Sequence, residues 1–383
     1  MAAFAGRQLY EGVGMIYLDN AATSLQKPPQ VAQAVLRAMQ TCANPGRGGH
    51  ASAARAEETV YRTRSLAARY FGLEPEQVCF TANATEGLNI ALRTLIQPGD
   101  RVVISGLEHN AVTRTLAALG AEIEAVKAPL FDQDAWLSGF AAALSPQTRA
   151  VVCLHVSNVF GAQLTVAELG ALCDAQGVPF VVDASQSAGL LPVRPSDWNA
   201  AFTAMPGHKG LLGPQGTGLL LCRTQPAPIR YGGTGSRSRD QTMPEDLPDR
   251  LEAGTLNVPG IAGLGAGLAF LGAQDPAGLL GRERELLRYA RAGLEQLGAR
   301  VWSGPGQVGV LSFQLPGKDC EETAAAYADR GIALRAGLHC APLAHQTAGT
   351  LTEGTVRLSL SVFSQQSDIT AFLNATKRIL PLA

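Results

Sequence analysis

Two side chains in this 383-residue sequence stand where covalent chemistry is easiest to write. Lys209 closes Thr203-Ala-Met-Pro-Gly-His-Lys209 and opens Gly210-Leu-Leu-Gly-Pro-Gln-Gly-Thr-Gly218, so it follows an apolar strand and sits among glycines. An amine in that setting can condense with a carbonyl as a Schiff base. Cys340 ends Leu334-Arg-Ala-Gly-Leu-His-Cys340, in a turn with His339 beside it and Arg335 shortly before it. A thiol there can serve as a nucleophile once ionised, and both neighbours are of types that can favour ionisation if they point toward it. Asp183 ends the apolar run Pro179-Phe-Val-Val-Asp183, where an unpaired carboxylate would be costly, although an Asp capping the next helix reads equally well.

The elements that must position these residues alternate along the chain. Residues 78–81, 101–105, 123–126, 150–156, 179–183 and 217–222 read as short buried strands; 85–95, 110–119, 134–144 and 165–176 read as helices between them. That alternation predicts an α/β unit with a mostly parallel sheet covered on both faces, whose ligands gather at the carboxyl ends of the strands. From residue 261 the texture changes to α+β: a helix over 281–297, a strand at 308–315, a helix over 319–330, strands at 332–335 and 355–360, and a last helix from about 367. Two domains are expected, 15–265 and 266–383, with the strand 15–18 joining the smaller one in space. Residues 1–14 read as a weakly docked start. The polar loop 231–250 is long enough to suggest function or mobility.

Composition excludes several classes. Hydrophobic residues make up 46%, charged residues only 16%, and the formal charge is -1, so no long-range attraction to nucleic acid or an anionic membrane is expected. No apolar run is long enough to span a bilayer. Seven cysteines, an odd number without paired spacing, point to a reducing compartment and a cytoplasmic location. Cys79, Cys153, Cys173 and Cys222 fall in apolar strand or helix patterns and read as core. A metal site on His339, Cys340 and His345 is disfavoured, because two adjacent residues do not easily aim at one ion, so none is assigned.

Taken in order from Tyr17-Leu-Asp-Asn-Ala-Ala-Thr23 to Arg357-Leu-Ser-Leu, these stretches resemble the pyridoxal-phosphate-dependent cysteine desulfurases of the class V aminotransferase superfamily. The resemblance implies fold type I of the PLP-dependent transferases: a mostly parallel seven-stranded sheet domain plus a smaller α+β C-terminal domain carrying the catalytic cysteine. It implies that Lys209 carries the cofactor, that Asp183 holds the pyridine nitrogen protonated, that His109 stacks on the ring, and that Asn158 and Gln186 bind the phenolic oxygen. The phosphate falls to Thr85, the helix start at Glu86 and Gly87, and His208, with Thr255 lent by a second subunit; amides and dipole at a helix N-terminus suit that duty. A homodimer with shared sites follows. Arg357 is matched to the arginine that grips the substrate α-carboxylate, with Arg335 and Asn158 nearby, though an interdomain salt bridge is an alternative use. Only seventeen positions separate Cys340 from Arg357, which resembles the short-loop (SufS-like) class, whose persulfide is passed to a dedicated acceptor protein, as in iron–sulfur cluster assembly.

The sequence departs from the family at Pro206, where Ser or Thr is usual, and at Ala84, where a second Thr is common; both remove hydroxyls from the phosphate cup. Leu338 and Gly46 stand where relatives carry histidines. The expected activity is conversion of L-cysteine to L-alanine with sulfur left on Cys340. A selenocysteine lyase acting on L-selenocysteine, another class V aminotransferase or lyase, and a sulfur-relay scaffold with weak catalysis are the competing readings.

Overall fold

A computed structural model describes residues 14–46 and 48–380; the expectation for residues 1–13 lies outside it. The elements run β1 (Ile16–Tyr17), α1 (Pro29–Thr41), α2 (Ala51–Phe71), β2 (Val78–Thr81), α3 (Ala84–Leu95), β3 (Arg101–Ser105), α4 (Asn110–Ala118), β4 (Glu122–Val126), α5 (Gln133–Ala143), β5 (Thr148–Leu154), α6 (Val166–Ala175), β6 (Phe180–Asp183), β7 (Phe202–Pro206) and β8 (Gly218–Cys222). There follow α7 (Val258–Gly272), α8 (Pro276–Gln296), β9 (Arg300–Trp302), β10 (Val310–Gln314), α9 (Cys320–Ala328), β11 (Ile332–Ala333), β12 (Arg335–Gly337), α10 (Pro342–Ala348), β13 (Thr355–Ser359) and α11 (Gln366–Ile379).

Seven strands form the main sheet in the order β2-β8-β7-β6-β5-β3-β4, and only β8 runs against the others. Its inner strands are apolar on both faces, and successive residues enter different cores, as period-two geometry requires. Val151, Cys153, Val182 and Met205 join one cluster; Val152, Val181, Ala204 and Leu220 join the other. The crossover helices cover both faces, so the strand ends at Asp183 and Pro206 are the places left for polar side chains.

The smaller unit has a four-stranded antiparallel sheet, β12-β13-β10-β9, backed by α8, α9 and α11. Its core gathers Leu287, Leu311, Phe313, Tyr327 and Phe372, and Leu18 from the start of the chain belongs to it. β1 pairs in parallel with β11, and Asp19 bridges to Ser359. The predicted strand 332–335 is thus two, broken at Leu334 because β11 takes β1 as partner while β12 takes β13. Residue 265 lies inside α7, whose Val258, Ile261, Leu264, Leu268 and Leu271 pack into the main-sheet core.

Backbone contact fixes the loop after β7. A Cβ on Gly210 would stand 2.2 Å from the Ala188 carbonyl oxygen, and one on Gly189 would stand 2.2 Å from that of Gly210. Two glycines therefore let the chain after Lys209 touch the chain after β6 directly.

Candidate active site

Lys209 leaves β7 through Gly207 and His208, and the turn is held by hydrogen bonds from Gly207 N to the Thr217 carbonyl (2.8 Å) and from Leu212 N to the Lys209 carbonyl (2.9 Å). The Ser24 hydroxyl donates to the His208 carbonyl at 2.9 Å. Close packing around its amine pulls the Lys209 pKa down to about 8, Asp183 opposing that shift and Arg357 and Arg335 adding to it. An amine so placed is partly neutral near pH 7, as a Schiff-base lysine must be.

One pocket collects Thr85, His109, Asn158, Asp183, Gln186, His208 and Lys209, with Ala84 and Pro206 in its wall. Asp183 is buried at the end of β6, and its Oδ1 accepts from Ser185 N at 2.8 Å. His109 caps α4 by accepting from Ala111 N at 3.0 Å on Nδ1, and burial lowers its pKa, so the ring is neutral with its proton on Nε2. Asn158 Oδ1 is buried with no hydrogen-bond partner, an acceptor waiting for a donor. Gln186 spends its amide on the Ala21 carbonyl, 3.1 Å away. His208 bonds to Thr23 Oγ1 at 3.0 Å, and burial first, then Lys209 and Lys27, pull its pKa to about 4.

Glu86 corrects the expectation placed on it. Its amide donates to the Asn83 side chain at 2.9 Å, while its carboxylate accepts from Ala82 N and pairs with Arg230 at 2.6 Å, outside the pocket. Asn83, as the cap of α3, has taken that donor, which leaves the amides of Ala84 and Thr85 and the Thr85 hydroxyl at this helix end. Thr255 is also absent from the pocket. It lines a separate open groove of about 810 Å³ with Tyr61, Glu252 and Gly233–Gly235, the last from the 231–250 loop.

Arg357 is 1% exposed and fully engaged at its two terminal nitrogens: Nη2 on Asp19 Oδ1 at 2.7 Å and Nη1 on the Asn158 carbonyl at 2.9 Å. Its Nε has no partner. Both readings of this arginine thus have a physical basis, because the ion pair joins the start of the chain to β13 while the guanidinium touches a pocket residue.

Cys340 is the one exposed cysteine of the seven; five are buried and Cys42 is half-buried. It and His339 both hold left-handed backbone, at φ 58° and 50°, which non-glycine residues adopt at a cost. Two hydrogen bonds hold this turn against the pocket: Asn110 N to the Cys340 carbonyl (2.8 Å) and Asn158 Nδ2 to the His339 carbonyl (2.8 Å). Arg335 Nη2 lies 3.7 Å from the Cys340 sulfur, as expected. His339 departs from expectation. Its ring turns inward to Thr355, burial drives its pKa well below the usual histidine value, and it stays neutral, so Arg335 alone brings positive charge to the sulfur. No group of three or more potential metal ligands occurs among the described residues.

Sequence reasoning missed two contributors. Lys27 donates to Ser24 Oγ at 2.8 Å and to the His208 carbonyl at 3.3 Å, with burial lowering its pKa to about 8. Asp19, within the Tyr17–Thr23 stretch, is the partner of Arg357. The signal for both was their closeness to that stretch; what placed them was a contact across more than 180 residues.

The aminotransferase class-V family matches residues 16–372. A probable cysteine desulfurase of Methanothermobacter thermautotrophicus is 31% identical over 92% of both chains. A cysteine desulfurase of Escherichia coli O157:H7 is 31% identical over 96% of this chain and 94% of its own. Among solved structures, the apo cysteine desulfurase of Thermococcus onnurineus superposes with a TM-score of 0.87 at 30% identity, over 95% of this chain and 94% of that one. With a lysine and a carboxylate at the ends of neighbouring main-sheet strands and an exposed cysteine in a turn hydrogen-bonded to that pocket, the chain belongs to the class-V aminotransferase family, among its pyridoxal-phosphate-dependent cysteine desulfurases.

Proposed function

We propose that this protein converts L-cysteine to L-alanine and leaves the sulfur as a persulfide on Cys340, with Lys209 as the cofactor-bearing residue. The observation that carries this reading is the pair of hydrogen bonds from Asn110 and Asn158 to the cysteine turn, which tie an exposed nucleophile to the lysine pocket. The pocket fits pyridoxal phosphate: Asp183 would hold the ring nitrogen, the orphaned Asn158 Oδ1 and neutral His109 would meet the ring and its substituents, and Thr85 with the end of α3 would take the phosphate. When bound, the cofactor supplies an electron sink that makes a proton on the substrate carbon and the bond to sulfur labile. Lys209 accepts and returns protons at carbon, which its lowered pKa permits near neutral pH. Arg335 brings its guanidinium against the Cys340 sulfur, which attacks the substrate sulfur; the S–S bond forms as the C–S bond breaks.

The direct link between Cys340 and its pocket supports assignment to the short-loop class, with an acceptor protein reaching the exposed persulfide. Thr255 in its own open groove supports a homodimer in which a second copy covers that groove and borrows the threonine for its phosphate site. The α7 packing supports a division of domains after Gly272 rather than within that helix. Cytoplasmic residence is consistent with seven unpaired cysteines. Purified protein incubated with L-cysteine and a reductant is expected to release alanine and sulfide in equal amounts; alanine without sulfide, or neither, would sink the reading.

A further inference from the structure

A second, smaller chamber of about 50 Å³ adjoins Lys209, lined by Ser24, Ser185, Gln186, Glu283 and Ser361 as well as the lysine. Lys209, Ser185 and Gln186 also border the main pocket, so the lysine is common to both spaces. Room for a water on this scale is about 10–15 Å³, and the lining offers polar partners, so the chamber can hold a short water chain. Glu283 comes from α8 of the smaller unit and is 5% exposed, and its Oε1 has no hydrogen-bond partner. Burial pushes its pKa up to about 8, only partly offset by the Gly309 amide and Arg284. Arg284 is the charged group acting on it, and Lys209 shares the lining of the same chamber.

The reaction itself asks for a proton here. If Cys340 attacks as a thiolate, its own proton has already gone to solvent. Transfer of the substrate's SH to that sulfur leaves an electron pair on the substrate carbon, so each turnover consumes one proton at that carbon. We propose that water in this chamber joins the Glu283 carboxylic acid to Lys209, and that Glu283 stores the proton with which the lysine is recharged. In that step the Glu283 O–H bond breaks, the proton passes along water, and an N–H bond forms on Lys209; solvent later reprotonates the carboxylate. Nothing is oxidised or reduced. Glu283 is a positioning residue, acting through Lys209 and touching no substrate.

The kinetic part rests on the desulfurase reading, and the other two measurements do not. In the wild-type crystal, ordered water is expected between Glu283 and Lys209; a dry chamber overturns the proposal. Infrared spectra of the apoprotein at pH 7 are expected to show a carboxylic-acid band that shifts in D2O and is lost in Glu283→Gln, distinct from that of Glu108, the other buried neutral acid; an unchanged spectrum in the variant overturns it. In the holoenzyme, Glu283→Gln and Glu283→Leu are each expected to lower kcat for alanine formation on the order of tenfold and to enlarge the solvent isotope effect, with KM for L-cysteine held within about twofold. Unchanged kcat and isotope effect overturn the proposal, as does a loss confined to KM, whereas an absence of alanine in the wild type too would fault the desulfurase reading instead.

Discussion

The lysine pocket and the cysteine turn are built on opposite physical plans. Lys209 follows a strand buried on both faces, its loop is locked by glycine-to-backbone contact, and desolvation sets its pKa. Cys340 is exposed, sits on strained backbone, and is held by two hydrogen bonds from residues of the other unit. The difference teaches that the two halves of the chemistry ask for different surroundings. Proton transfer at carbon benefits from excluded water, whereas a sulfur to be handed on must be reachable. The two plans meet at Asn158, whose amide holds the turn and whose carbonyl holds Arg357.

Removing the lysine tests the buried half most severely. Lys209→Ala is expected to lose every borohydride-reducible cofactor linkage, and a reducible linkage that persists would move the site elsewhere. Cys340→Ser tests the exposed half alone: cofactor absorbance and substrate-induced spectral change are expected to survive, while sulfide release falls at least ~10³-fold. If peptide mapping after L-cysteine treatment located a persulfide on another cysteine, the contrast between the two regions would lose its meaning.

Arg357→Ala sharpens the junction. Because the guanidinium is buried and paired with Asp19, loss of one partner is expected to cost about 2–5 kcal/mol, read as weaker L-cysteine binding if the substrate carboxylate competes for it. Equal loss of cofactor and L-cysteine affinity, with a matching fall in thermal stability, would assign it to the ion pair alone.

Acidity separates the regions more gently. Glu108 and Glu283 keep their protons to about 8 in the fold but lose them near 4.5 when free, so between those values the unfolded chain binds fewer protons and stability falls as pH rises. Each contributes about 1.4 kcal/mol per pH unit. His155, His208 and His345, held at about 4 against 6.5, act the other way and remove stability as pH drops below 6.5. The urea midpoint of the apoprotein should therefore peak near pH 6.5, and Glu283→Gln should lessen the decline from 6.5 to 8. A midpoint that climbed steadily to pH 8 would contradict both carboxyl assignments.

The smallest effect is expected at Pro206, which lines the pocket without a hydroxyl. Pro206→Ser should slow cofactor loss on dialysis by one hydrogen bond of about 0.5–1.5 kcal/mol, and Thr255→Ala should hasten it. Retention unchanged in both would place neither residue at the phosphate.

Much of the main sheet was legible because its strands are short apolar runs ending in chemically distinctive residues; Asp183, Thr85 and Lys209 stood out for that reason and share one pocket. What stayed hidden depends on partners distant in sequence. α2 escaped notice because half of its buried face is alanine, with Arg64 buried against Glu252 at 2.7 Å, a pairing no local pattern announces. The inward turn of His339, the outward turn of Glu86 and the Asp19–Arg357 pair are set by tertiary contacts alone. Glu283 lies in Gly-Arg-Glu-Arg-Glu, which reads as a solvated face until the helix is packed.

The tie between Asp19 and Arg357 also has a bearing on how the molecule is born. The two residues are 338 positions apart, and a ribosome working at roughly 5–20 residues per second separates them by roughly 17–70 s. Throughout that interval β1 has no β11 to pair with and Leu18 has no core to enter. The main sheet, whose strands are all made by Cys222, can mature while its eventual second half is still being synthesised. The nascent chain thus owns Lys209 early and acquires Cys340 only after the main sheet is complete, an order that keeps this thiol from appearing before the pocket it is tied to.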